Sequence, residues 1–140
     1  MIRIAAKFFL TTFSGITFAC QCTTGGVDEG MRSSERVFAA TVMAAKVDGK
    51  LVDVEVTGYT PIKGPASILR RLRTPLGTSA CGFPVVVSET YVFFTTKSGE
   101  FSACGATSVF GSPMLGELNE RVMNLWREME KKPMSDKKGW

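Results

Sequence analysis

Cys20 and Cys22 stand one residue apart in the stretch Phe18-Ala19-Cys20-Gln21-Cys22, and the other two cysteines of the chain, Cys81 and Cys104, lie far downstream. Thiols can ligate a metal, act as nucleophiles or pair as disulfides, and the sequence discriminates among these roles. A zinc site calls for paired CxxC-type spacings, which C-x-C plus two singletons 23 residues apart matches poorly. A Cys-His nucleophile, a Ser-His-Asp triad and an HExxH helix all need histidine, and the chain has none. GxSxG and Walker-type loops are absent, and Glu89, Glu100 and the other acids lie in no catalytic pattern. The expectation is a protein that is not an enzyme and needs no cofactor. The even cysteine count favours two disulfides, each tying the N-terminal pair to a distant part of the fold. Loops of about 60 and 80 residues closed in this way would each stabilise the chain by roughly 4 kcal/mol.

The N-terminus explains why such bonds would form. Met1 to Lys7 carries Arg3 and Lys7, Phe8 to Phe18 is an uncharged run, and Thr17 and Ala19 are small residues at the positions that precede a cleavage point. This is the layout of a secretory signal over residues 1–19, and the run is too short for a transmembrane helix, which needs roughly 20 apolar residues. Cleavage after Ala19 would expose Cys20 as the first residue of a secreted protein, extracellular or periplasmic, with a formal charge of +2 in place of +4. The remaining basic clusters are Arg70-Arg71-Leu72-Arg73 and the tail lysines Lys131, Lys132, Lys137 and Lys138. They fit a solvated strand edge and a solvated tail, so no nucleic-acid partner is expected.

The elements that must position the cysteines read mainly as strands. Val37 to Lys46 and Leu51 to Tyr59 flank Val47-Asp48-Gly49-Lys50, whose Asp-Gly marks a hairpin turn. Val52, Val54 and Val56 alternate with Asp53, Glu55 and Thr57, which gives that strand one buried face. Ala66 to Arg73 is a weaker third strand, and Tyr91 to Thr96 with Glu100 to Cys104 reads as a second hairpin across Lys97-Ser98-Gly99. Five strands in a chain of 140 residues suggest a mainly β fold, a small closed OB-fold-like barrel. A C-terminal helix packs on it: Ser112 caps, Pro113 takes the first position, and Leu115, Leu118, Val122, Leu125, Trp126 and Met129 recur at helical spacing. Thr23 to Arg36 reads as a loop, and residues 133–140 as a frayed tail.

Cys-X-Cys at a mature N-terminus, "PIKGP" (Pro61 to Pro65), "TSACGF" (Thr78 to Phe83), "YVFF" (Tyr91 to Phe94) and "FSACG" (Phe101 to Gly105) follow one another in an order that resembles the netrin-like domain. The closest likeness is to the N-terminal domain of the tissue inhibitors of metalloproteinases, and the domain would span residues 20–132. The resemblance implies bonds from Cys20 to Cys81 and from Cys22 to Cys104. It also implies that the α-amino nitrogen and carbonyl oxygen of Cys20 chelate the catalytic zinc of a bound metalloproteinase, the sole metal contact expected. Gln21 would enter the protease's specificity pocket, with Cys22, Thr23, Ser79 and Ala80 in the contact ridge. The chain departs from the family in lacking a third disulfide and in carrying Gln21 where a small hydroxyl residue is usual. A netrin-like module that binds a protein without inhibiting a protease is the alternative. A lipid anchor on Cys20 is another, although it would leave three cysteines to pair.

Overall fold

A computed structural model of the chain describes residues 20–22 and 26–131. Residues 1–19, expected as a leader, Thr23, and residues 133–140, expected as a tail, lie outside the described residues. The elements run α1 (Gly26–Ser33), β1 (Arg36–Asp48), β2 (Leu51–Lys63), β3 (Arg71–Pro75), β4 (Thr90–Thr95), β5 (Ser108–Val109) and α2 (Glu117–Lys131). The five strands make one antiparallel sheet in the order β3-β2-β1-β4-β5.

The first hairpin forms where the Asp-Gly signal places it. Asp48 pairs with Leu51, and Gly49 turns the chain at φ 60°, a left-handed conformation that a residue without Cβ adopts freely. Val54 and Val56 are buried, as the alternation along β2 requires. The first half of β1 is different, because Val37, Phe38, Ala39, Ala40 and Val42 are all buried. Both faces of the sheet are covered there, so the apolar run is continuous instead of alternating. Successive residues feed two cores. Phe38, Ala40 and Val42 join Tyr59, Leu72, Tyr91, Phe93 and Phe101 on one face. Val37 and Ala39 join Val92 and Phe94 on the other, against Leu115, Leu118 and Val122. Phe93 lies at the centre of the first core, its ring 5.2 to 5.6 Å from those of Phe38, Tyr91 and Phe101.

The second hairpin is corrected. Thr96 N–H donates to the Glu100 carbonyl (3.0 Å), but the chain after Glu100 does not return along β4. Arg73 N–H donates to the Gly99 carbonyl (3.0 Å) and Phe101 N–H to the Arg73 carbonyl (2.9 Å), a single parallel bridge to β3. Phe101 turns into the core, and the fifth strand is Ser108–Val109. The sheet is therefore not closed into a barrel; the one bridge at Arg73 and Glu100 spans its open side. Residues 103 and 104 are held elsewhere, Ala103 by a bond from its N–H to the Cys81 carbonyl (2.8 Å) and Cys104 by its disulfide. The third strand also shifts, from the expected Ala66 to Arg73 to Arg71–Pro75, because the Arg36 guanidinium holds the Ser67 carbonyl (2.7 Å) and hydroxyl (3.0 Å) off the ladder. Arg71 and Arg73 face Glu55 and Asp53 across that ladder at 3.6 and 2.8 Å, exposed pairs that contribute little stability.

The segment Thr23 to Arg36 holds a helix where a loop is expected. Val27 and Met31, four apart, pack on the second core, while Gly30 is buried against Phe94 and Ala106. A Cβ at Gly30 would lie 2.6 Å from that of Ala106, so the close approach requires glycine. Asp28 and Glu29 in the first turn and Arg32 in the last complement the helix dipole.

At the C-terminal end Ser112 Oγ accepts from Met114 N–H (3.3 Å), but the turn it caps, Pro113–Leu115, is 3₁₀, and Gly116 at φ 50° separates it from α2. The helix packs on the sheet as expected, through Leu118 and Val122. The Trp126 indole packs at a tilt against Phe110 (4.7 Å between ring centroids) and donates to the buried Thr60 Oγ1 at 2.8 Å. Trp126→Phe keeps the ring contact and removes the donor, so it is expected to lower unfolding free energy by about 2 kcal/mol. Denaturant titration against wild type measures it; an unchanged midpoint would show that this bond contributes no net stability. No helix among the described residues is long and apolar enough to cross a membrane.

Candidate functional site: the anchored N-terminal segment

Two disulfides hold the N-terminal segment against the sheet. Cys20 bonds to Cys81 with Cα atoms 5.3 Å apart, and Cys22 to Cys104 at 4.8 Å, bridging 61 and 82 residues of sequence. No cysteine is free. Cys20 and Cys22 are half-buried while Gln21 between them is exposed, so the segment is fixed at both sides of one outward-facing side chain.

Cys81 is positioned by a short 3₁₀ turn, Thr78–Ala80, that follows β3. Cys81 N–H donates to the Thr78 carbonyl (3.1 Å) and Gly82 N–H to the Gly77 carbonyl (2.9 Å), which closes the turn. Cys81 itself sits at φ 62°, a left-handed conformation uncommon for a residue with a side chain and held here by the turn bonds and the disulfide. Gly82 is buried against the backbone at the end of β3: a Cβ there would collide with the Pro75 carbonyl oxygen and stand 2.8 Å from that of Gly77. The next residue is anchored too, since Phe83 N–H donates to the buried Thr74 Oγ1 (2.9 Å). The order Cys-Gly-Phe thus has a role for each residue: disulfide, close backbone approach, and core contact.

Ser79 and Ala80 are exposed and immediately precede Cys81, the residue bonded to Cys20. Of the six residues expected at a protease contact, Cys20 and Cys22 are held by the disulfides, Gln21, Ser79 and Ala80 are exposed, and Thr23 lies outside the described residues. Sequence reasoning missed the support that Thr74 and Pro75 give the turn, through the Thr74 hydroxyl and the close approach of the Pro75 carbonyl to Gly82. The glycine after Cys81 was the available signal. No protein-family model and no curated protein matches the chain.

Proposed function

We propose that the chain is a secreted inhibitor of zinc metalloproteinases, released from its leader at Cys20 and acting through that residue. The observation that carries this reading is the N-terminal segment itself: Gln21 projects to solvent between two cysteines that are each bonded to the folded domain. A catalytic zinc keeps one position open for water. A neutral α-amine and the adjacent carbonyl oxygen of Cys20 replace that water as a five-membered chelate. An α-amino group with a pKa of about 7.7 to 8.0 yields its proton to zinc near neutral pH. Because the disulfides hold the ligand in place before the encounter, little ordering entropy opposes binding.

In this reading the chain is a netrin-like protein with no catalytic residue and no cofactor of its own, and its partner is a zinc metalloproteinase. Gln21 enters the pocket beside the metal, and Cys22, Thr23, Ser79 and Ala80 line the contact. The long amide of Gln21 needs a polar partner at the pocket's end, so proteases with an apolar pocket floor are disfavoured.

The test is inhibition of a panel of zinc metalloproteinases by wild type and by Gln21→Gly. The variant is expected to inhibit a susceptible protease about tenfold more weakly, a difference of about 1.4 kcal/mol. Its thermal midpoint is expected to stay near wild type, since exposed side chains carry little stability. Equal inhibition by both proteins removes Gln21 from the contact. Inhibition of no protease by the correctly processed protein leaves a netrin-like binding module as the function.

A further inference from the structure

The four cysteine sulfurs form one cluster. Apart from its bond to Cys81, Cys20 Sγ lies 3.7 Å from Cys22 Sγ and 3.2 Å from Cys104 Sγ. The sulfurs of Cys20, Cys81 and Cys104 all fall within 4.8 Å of one another, and Cys22 is bonded to Cys104. With both disulfides formed no sulfur carries a proton, so these approaches are sulfur–sulfur contacts and not hydrogen bonds. A zinc ion with four thiolate ligands at about 2.3 Å places its sulfurs about 3.8 Å apart. The contact between Cys20 and Cys22 already has that spacing, and the contact between Cys20 and Cys104 is close to it. Each bonded pair would have to open by roughly 1.8 Å, a movement within reach of side-chain rotation.

We propose that the chain, once both disulfides are reduced, binds one Zn²⁺ through Cys20, Cys22, Cys81 and Cys104. Each disulfide accepts two electrons and two protons from a dithiol, which leaves as its own disulfide. The four thiols then release four protons as zinc takes four thiolates, so the filled site carries a net charge of −2. The ion joins the same three places in the chain that the disulfides join, and the sheet keeps its tie to the N-terminal segment. Cys104 is exposed, which gives zinc a path from solvent. The spacing C-x-C with two distant singletons is no obstacle, because the turn before Cys81 and the loop at Cys104 converge in space. The site is independent of protease inhibition, as it uses the sulfurs and not the α-amine.

The purified protein, reduced anaerobically with a phosphine, is titrated with Co²⁺ and then Zn²⁺. The expected result is one Co²⁺ per chain with thiolate-to-cobalt absorption, its displacement by one equivalent of Zn²⁺, and a one-zinc mass under native ionisation. Cys22→Ser and Cys104→Ser are each expected to weaken zinc binding by more than about 100-fold, beyond the loss seen when only an outer-layer partner of a ligand is removed. Reduction with zinc present is expected to preserve a cooperative thermal transition that a chelator then abolishes or lowers. The proposal is overturned if no thiolate absorption appears, or if the serine variants bind as tightly as wild type. It is likewise overturned if the chain held in guanidinium binds zinc equally well, or if zinc binds without preserving or restoring the β circular-dichroism signal.

Discussion

Inhibition of zinc proteases is expected to disappear when one alanine is added ahead of Cys20. The added residue converts the α-amine of Cys20 into an amide nitrogen, which is a poor zinc ligand, and inserts atoms where the metal must sit. Cys20 and Cys22 stay bonded to Cys81 and Cys104 because the extension lies outside both loops. Folding is therefore expected to be unchanged while inhibition falls on the order of 1,000-fold, about 4 kcal/mol of binding. Acetylation of the native terminus is expected to do the same, since it ties the nitrogen lone pair into an amide without adding a residue to the chain. Inhibition constants for the three forms, each with its N-terminus confirmed by intact mass, measure this directly. If the extended form inhibits as strongly as the native one, the chelate is wrong, even where the protease contact itself survives.

Gly82→Ala is expected to damage both the fold and the site. The new methyl would collide with the Pro75 carbonyl oxygen and crowd that of Gly77, so the turn over Thr78–Ala80 must lift away from the end of β3. Both neighbours are backbone atoms with no rotamer through which to yield, and overpacking of this kind costs about 3 kcal/mol. The lifted turn carries Ser79, Ala80 and, through the disulfide, Cys20 with it. Weaker protease inhibition is expected at temperatures where the variant is still folded. Gly105→Ala, beside Cys104, is the control: the nearest atoms to its Cβ are at 3.4 and 3.8 Å, ordinary contact distances, and both properties are expected to hold. Denaturant midpoints and inhibition constants for the pair separate the two cases. Equal stability of Gly82→Ala and wild type would mean that the turn does not depend on the close approach.

The sequence by itself determined the elements whose causes are local. The hairpin at Gly49 needs only a residue tolerant of φ 60° between two apolar strands, and the alternation of Val52, Val54 and Val56 states its own buried face. The C-terminal helix is legible for the same reason, since the spacing of Leu118 and Val122 acts within one turn, whereas Ser112 and Pro113 start a separate 3₁₀ turn ahead of it. The pairing of four cysteines is not a local property, since three connectivities are formally open. Resemblance to a netrin-like domain implied the pairing that the structure contains, and the fold is what brings each pair of Cα atoms within about 5 Å.

Tertiary structure alone decided the rest. A polar stretch becomes α1 because Gly30 meets Phe94 and Ala106, more than 60 residues away. The partner of Phe101 is Arg73 and not β4, and β4 finds its edge in Ser108 and Val109, so the expected closed barrel becomes a sheet with one bridge across its open side. The turn before Cys81 takes its height from Pro75 and Thr74, residues with no chemical mark in the sequence. Strand pairing and backbone contact at long range depend on where remote segments can bury their apolar faces and satisfy their hydrogen bonds together. That is a property of the assembled sheet, which no window of neighbouring residues contains.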